Sequence, residues 1–403
     1  MRALLYRKSI PRYLLMRAGA KRVRGLDTGR FSPLQPEEIP EPALPGPGWV
    51  RVRPLLSGIC GSDLGTLSSE NSPYFSPLTS PPFVMGHEVF GVVAEDGEGF
   101  RAGERVVLEP ALGCAVRGID PPCARCAAGQ HALCVNVTRG DIAPGIQTGF
   151  CRDTGGGWCE GTLVAHRSQL HRVPDNLPDE AAVVVEPLAC AVHAALAARP
   201  GPQDTVLVVG AGSIGLLTVA ALRALTGAGR ILCVAKHPRQ REEAARLGAT
   251  EVIPPGELYE RLPDTLGAAR YKPELGRPVV LGGADVVFDC VGSPGTIEDA
   301  IRLTRPGGRT VLVGMPGARS CLDLSALWHQ EVSLSGAYAY GTEEYRGERL
   351  KSFELALRIA PELRLETLVG PRFRLAEYRQ AIAAARSAGR SGHVKVVFDH
   401  RPA

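Results

Sequence analysis

Residues suited to chemistry are spaced along this 403-residue chain in four groups. The segment 123–134 reads CARCAAGQHALC and sets Cys123, Cys126 and Cys134 close together. A Cys-x-x-Cys pair suits either redox exchange or half of a metal site. The third cysteine favours metal, because a redox pair leaves it unexplained. Upstream, GICGSDLG (58–65) and VMGHEVFG (84–91) place Cys60 and His87 in glycine-flanked turns. Thiolate and imidazole are typical zinc donors. Farther on, VVVEPLACAVHA (183–194) puts Glu186 on an otherwise apolar stretch. A carboxylate there is costly unless it is paired, protonated or bound to metal. Three protein ligands and one open position are the pattern of a catalytic zinc site.

The fourth group is Gly210-Ala211-Gly212-Ser213-Ile214-Gly215, between an apolar strand and a helix. In that setting the first glycine makes the turn, the second lets a pyrophosphate approach, and the third lets the helix pack on the strand. The free N–H groups of the helix start, including those of Ser213 and Ile214, then face the anion. The next strand, ILCV, would end in an acid if it held the ribose 2′-hydroxyl of NAD. Instead Ala235 is followed by Lys236, His237, Pro238 and Arg239. Lys236 and Arg239 suit a 2′-phosphate, so NADP is favoured over NAD.

The elements that must position these groups differ between the two halves of the chain. Up to about residue 190, short β-branched runs such as WVRVRPLL (49–56), FGVVAE (90–95) and RVVLEP (105–110) alternate with glycine- and proline-rich turns. From about 204 the texture becomes strand–helix alternation. TVLVVG (205–210) leads into a buried helix over 214–227 that ends at a glycine, and RILCVAK (230–236) precedes a polar helix over 238–248. ADVVFDCVG (284–292), TIEDAIRLTR (296–305) and RTVLVG (309–314) continue this pattern, which is that of a parallel sheet covered on both faces. After about 336 a mixed stretch ends in the strand-like VKVVFD (394–399). The expected fold is α/β: a β-rich catalytic domain from residues 1–190 and 337–403, with a doubly wound dinucleotide-binding domain at 191–336 inserted.

Composition excludes several classes. Hydrophobic residues make up 44% and charged residues 22%, and the net charge of +4 is too small to argue for nucleic acid. Basic residues crowd the start, where Arg2, Arg7, Lys8, Arg12, Arg17, Lys21, Arg22, Arg24 and Arg30 face Asp27 alone. We read this as a basic surface arm around short strands such as MRALLY, in preference to a transit peptide. No apolar signal core follows, so secretion is not expected. The uncharged run 206–222 is broken by three glycines and reads as a buried strand and helix, so no membrane partner is expected. Eleven cysteines in such a chain point to thiols and metal in a cytoplasmic protein.

The order GICGSD, GHEVFG, CxxCxxxxxxxC, EPLACAVHA and GAGSIG over nearly the whole length resembles the zinc-dependent medium-chain alcohol, polyol and threonine dehydrogenases. The resemblance implies a GroES-like catalytic domain and a Rossmann domain, with two zinc ions per chain. It assigns catalytic zinc to Cys60, His87 and Glu186, and makes Glu88 a neighbour able to approach or exchange onto the metal. Asp63 would orient a ligand, and Ser62 would pass the substrate proton outward. Relatives carry a relay histidine where this chain has Gly65, so the proton needs another route. A structural zinc lobe spaced C-x-x-C-x-x-C-x7-C fits Cys123, Cys126 and Cys134. Its first ligand falls at Asp120, so either Cys114 on a longer loop or Asp120 completes it, with Cys114 favoured. Val291, Gly292 and Gly314 resemble the nicotinamide floor.

The function implied is hydride transfer between a secondary alcohol, polyol or sugar and a nicotinamide cofactor, in a homo-oligomer, dimer or tetramer. A zinc-independent quinone or enone reductase on the same scaffold is the alternative, and a non-enzymatic nucleotide-binding relative a third reading. The loop 138–161 and the stretch 68–82, with Tyr74 and Phe75, are candidate substrate walls. Cys151 and Cys159 read as free thiols, His193 as a core residue, and His131, His166 and His171 as surface. Cys233 and Cys290 read as small apolar strand residues.

Overall fold

The computed structural model describes residues 1–20, 22–23, 25–317 and 321–402, so Lys21 and Arg24 of the basic arm lie outside the described residues. The chain forms two compact units. Met1–Glu186 and the chain from Tyr340 on make the first, and Pro187–Ala339 the second.

The first unit is built on Trp49–Gly58, where Val50, Val52 and Leu56 turn inward and Arg53 outward, the period-2 pattern of a strand with one buried face. Val89–Val93 pairs with it on one side, followed by Arg105–Leu108 and Leu170–Arg172. On the other side lie Lys395–Asp399 and then Val369–Phe373, and Leu163–His166 pairs with the strand's first half. The register sets Val397 opposite Gly58, so the end of the chain returns beside the turn that carries Cys60. A smaller antiparallel sheet joins Leu34–Glu38, Arg2–Tyr6 and Phe83–Val84. Leu4, Phe83, Met85, Trp158 and Phe398 belong to the core cluster of this unit.

The basic arm corrects one expectation. After the strand Arg2–Tyr6 it forms a helix, Ile10–Gly19, with proline in its first turn and Arg17 in its last. Leu14, Leu15, Met16 and Ala18 are good helix formers, and a first-turn proline costs little. Charge count had masked that propensity.

The second unit holds a six-stranded parallel sheet among the described residues. Its order is Glu251–Ile253, Arg230–Val234, Thr205–Val209, Ala284–Asp289, Thr304–Leu312, Ser333–Gly336. In chain order this is 3-2-1-4-5-6, the doubly wound arrangement whose switch point lies beside the first strand. The helix Ser213–Leu225 follows that strand and is buried along most of its length. It does not end on a glycine cap as expected. The chain leaves at Thr226 (φ −118°), whose hydroxyl donates to Leu222 O at 2.7 Å. No helix among the described residues is long and apolar enough to cross a membrane.

Candidate active site

Cys60 is the N-cap of the short helix Gly61–Leu67, in extended conformation. Its N–H donates to Asp63 Oδ2 at 2.9 Å, so the third helical residue closes the helix start. The other oxygen of Asp63, Oδ1, lies 3.3 Å from His87 Nδ1. One buried carboxylate therefore bonds the Cys60 amide and lies against the His87 imidazole. With Nδ1 directed at Asp63, Nε2 is the nitrogen left for a cation. Gly86, at φ +94°, makes the turn before His87, and a β-carbon there would strike the Trp158 indole. Likewise a β-carbon on Gly58 would collide with the Glu88 carboxylate.

One ligand atom from each of Cys60, His87 and Glu88 lies within 4.8 Å of the other two. Glu186, in the first turn of the helix Val185–Ala198, is buried but outside that tight group. Both Glu88 oxygens are held at 2.7 Å by Lys395 Nζ. Burial works to lower the Lys395 pKa, yet Glu88, Cys60 and Glu186 raise it above the ordinary lysine value. Burial also opposes a charge on His87, and Asp63 with Cys60 outweighs it, holding the imidazole pKa well above its usual range. The pocket thus concentrates thiol and carboxylate groups where a positive charge is stabilised. Soft and borderline donors of this kind fit zinc.

Ser62 sits half-buried in the first turn of the same helix. Asn71 Nδ2 donates to Ser62 O at 3.2 Å and to Thr66 Oγ1 at 2.8 Å. A β-carbon on Gly65 would run into Asn71 Oδ1, so Asn71 fills the space that a side chain at 65 would need.

Cys114 joins Cys123, Cys126 and Cys134 in a second group whose ligand atoms lie within 4.8 Å of one another, and Asp120 is not among them. Amide donors point at the sulfurs: Cys114 N to Cys126 at 3.4 Å, Cys123 N to Cys114 at 3.4 Å, and Asn136 N to Cys134 at 3.3 Å. Burial opposes ionising Cys123, but amide donors and neighbouring thiols bring its pKa down to about 6. Burial and the Cys114 sulfur push Cys134 up to about 11. Four sulfurs converging within 4.8 Å of one another, with amide donors directed at them, suit a four-thiolate metal site.

In the second unit Gly210 and Gly215 of the phosphate loop are sterically constrained, and Gly212 borders open space. Gly210 takes φ +96°, and nothing lies within 4 Å of a β-carbon on Gly212. Gly215 is buried, and a β-carbon there would strike Gly210 O. Ser213 opens the helix and Ile214 follows it. Val291, Gly292 and Gly314 meet backbone to backbone at the ends of two neighbouring strands. Asp289, buried and unremarked in the sequence, holds them. Its carboxylate accepts from Val291 N at 3.0 Å and Gly292 N at 3.1 Å, and its carbonyl from Gly314 N at 2.8 Å. Burial raises its pKa against those donors. Lys236 is exposed, whereas Arg239 pairs with Glu243 at 2.6 Å.

Two histidines are placed differently from the sequence reading. His131 and His171, expected at the surface, both contact the buried carboxylate of Glu109, His171 at 2.7 Å, and Lys351 Nζ lies 3.0 Å away. His166 is half-buried and bonds Ser168 at 2.8 Å. Cys151, Cys159 and Cys233 are buried free thiols, and burial pushes Cys233 up to about 12. Tyr74 is 74% exposed, while Phe150 of the loop 138–161 has its ring 6.0 Å from His87. Glu109, Arg117, Asp289 and Lys395 had no local sequence signal, although the carboxylate in RVVLEP was open to the burial argument applied to Glu186.

Two family models match the chain: an alcohol dehydrogenase GroES-like domain over residues 46–175 and a zinc-binding dehydrogenase over 213–353. L-idonate 5-dehydrogenase of Vitis vinifera is 32% identical over 306 residues, covering 73% of this chain and 74% of that protein. Sorbitol dehydrogenase of Arabidopsis thaliana is 30% identical over 360 residues, covering 88% and 89%. A Sinorhizobium meliloti 1021 structure solved bound to NADP has 26% identity and a TM-score of 0.67, covering 91% of this chain and 95% of that one.

Proposed function

The chain belongs to the zinc-binding dehydrogenase family, and from that premise we propose that it oxidises a secondary hydroxyl of a polyol or sugar-derived substrate with NADP. It is an alcohol or polyol oxidoreductase that works with zinc and a nicotinamide cofactor. The observation that carries the reading is the buried group of Cys60, His87 and Glu88 braced by Asp63.

Cys60, His87 and Glu186 would hold the catalytic zinc, and Lys395 restrains Glu88 next to Cys60 and His87. When bound, the metal supplies Lewis-acid polarisation of a hydroxyl, and the nicotinamide accepts the hydride. Asp63 keeps the His87 ring oriented and its Nδ1 engaged. Ser62 takes the substrate proton at Oγ and passes it outward, on a helix start braced by Asn71. The backbone N–H groups after Gly212 hold the pyrophosphate, and the 291–292 and 314 backbone supports the nicotinamide. Cys114, Cys123, Cys126 and Cys134 would hold a second zinc. The two compact units correspond to a catalytic and a dinucleotide-binding domain.

The preference for NADP rests on Lys236 and on the missing acid at the end of Arg230–Val234; Arg239 contributes only by leaving Glu243. The L-idonate and sorbitol activities named for two relatives support a polyhydroxylated substrate. A homo-oligomer is supported by the exposed edge strand Ser333–Gly336 and by Trp328, 83% exposed. The buried free thiols of Cys151, Cys159 and Cys233 support a cytoplasmic location. The zinc-independent reductase is not favoured, since the named relatives are polyol dehydrogenases.

Zinc per chain by mass spectrometry, together with NADP-dependent oxidation of polyols such as sorbitol, tests the reading. The expected result is two zincs and Cys60→Ala without turnover. A zinc-free active enzyme, or turnover surviving Cys60→Ala, would show the mechanism to be wrong.

A further inference from the structure

Arg117 is the largest charged side chain with no exposed surface, at 0%. Its donors all end on main-chain oxygens. Nε donates to Leu112 O at 2.9 Å, Nη1 to Arg139 O at 2.9 Å and Ile142 O at 3.2 Å, and Nη2 to Gly145 O at 2.6 Å, with Ala143 O 3.4 Å from both terminal nitrogens. Its own carbonyl accepts from Asp141 N at 3.1 Å, and a β-carbon on Gly140 would strike that oxygen. The segment 139–145 is therefore wrapped around a guanidinium.

No carboxylate among the described residues forms an ion pair with Arg117. The carboxylate of Asp153 lies close by and accepts from Ala143 N at 2.7 Å, on the loop that the guanidinium holds. The main chain of Arg117 is tied to the cysteine lobe: Arg117 N donates to Cys114 O at 3.0 Å, one turn after the buried Cys114.

We propose that Arg117 is a positioning residue that couples the four-cysteine lobe to the loop 139–145, its main-chain N–H bonded to Cys114 O and its side-chain N–H groups holding the loop's carbonyls. The proposal rests on reading the lobe as a metal site. Its reach extends toward the active site. Cys151 Sγ donates to Ala143 O at 3.4 Å, and the preceding residue, Phe150, faces His87. Loss of the lobe metal then loosens a segment that ends against a proposed catalytic ligand.

The test uses the zinc-loaded enzyme with Arg117→Lys and Arg117→Met. It reads zinc transfer to a chromogenic chelator and hydrogen exchange of the 139–146 segment. In Arg117→Met the lobe zinc should leave at least tenfold faster while the catalytic zinc stays. Arg117→Lys keeps the charge but loses the planar fork, so zinc retention should be intermediate and loop exchange still fast. Loss of the lobe zinc at the wild-type rate in Arg117→Met overturns the coupling. Should Arg117→Met not fold, stripping the lobe zinc from wild type decides: exchange at 139–146 should quicken severalfold with the strand Val89–Val93 unchanged, and unaltered exchange overturns the coupling. Cys123→Ser leaving the zinc content unchanged would instead remove the lobe reading itself, and the proposal with it.

Discussion

Lys395 Nζ lies 2.7 Å from both carboxylate oxygens of Glu88, and the two side chains are 4% and 1% exposed. This pair keeps the second acid of the site engaged, so that Glu88 is a restrained neighbour of Cys60 and His87. Removing one partner of a buried ion pair costs about 3–5 kcal/mol. Lys395→Met should lower stability by that order and free Glu88 to compete for the metal. Turnover should fall while zinc dissociates more slowly, and Lys395→Arg should restore most of both. Faster zinc loss in Lys395→Met would mean that Glu88 does not approach the metal.

Asn71 gives a prediction about the missing relay histidine. Its Nδ2 braces Ser62 O and Thr66 Oγ1, and its Oδ1 is buried without a partner, a state that calls for a donor such as water. Asn71→Ala should reduce kcat about tenfold, which is ~1.4 kcal/mol in the barrier. Gly65→His alone should be poorly tolerated, because a side chain at 65 meets Asn71. The double variant Gly65→His/Asn71→Ala has that space and should recover turnover above Asn71→Ala. An unchanged kcat in Asn71→Ala would leave the amide no part in the reaction.

These two residues mark the limit of sequence reading. The phosphate loop was legible because its three glycines fall within six residues between a strand and a helix. Cys60, His87 and the four cysteines were legible as donor types at short spacing. Lys395 stands 307 positions from Glu88, and nothing local in VKVVFD sets that lysine apart from a solvated charge. It becomes a partner only because Lys395–Asp399 pairs with Trp49–Gly58. Arg117 and Asp289 share that difficulty, since a side chain that bonds mainly to backbone leaves no residue-type pattern. His131 and His171 were read as surface because the third member of their group, Glu109, is reached only through the sheet and the lobe together.

Cofactor choice can be separated into two charges. Lys236 is exposed, while Arg239 is engaged by Glu243. Lys236→Ala should therefore shift the ratio of NADP to NAD use by about tenfold toward NAD, which is ~1.4 kcal/mol. Arg239→Ala should shift it less, and Glu243→Gln should strengthen NADP binding by releasing the guanidinium. Kd values for both cofactors in each variant check this. A wild-type preference for NAD would show that the missing acid at residue 235 does not select the phosphate.

Glu109 supplies a pH dependence that is independent of turnover. Burial would raise its pKa, but His131, His171 and Lys351 around it hold the carboxyl well below the ordinary glutamate range. A folded-state pKa below the unfolded value, about 4.3, contributes stability that is complete above that value. The contribution is lost as pH falls through the folded-state pKa, because the unfolded chain then binds a proton that the native site refuses. At pH 7, Glu109→Gln should destabilise the protein by about 3–5 kcal/mol, leaving Lys351 partly buried without its acid. Below about pH 4 the wild type begins to give up this advantage, and the gap between the two stabilities should narrow. Urea unfolding at pH 7, 5 and 3.5 measures the difference directly. A gap that stays constant across that range would mean that the carboxylate carries no net charge advantage in the fold, and that the three groups around it act by packing alone.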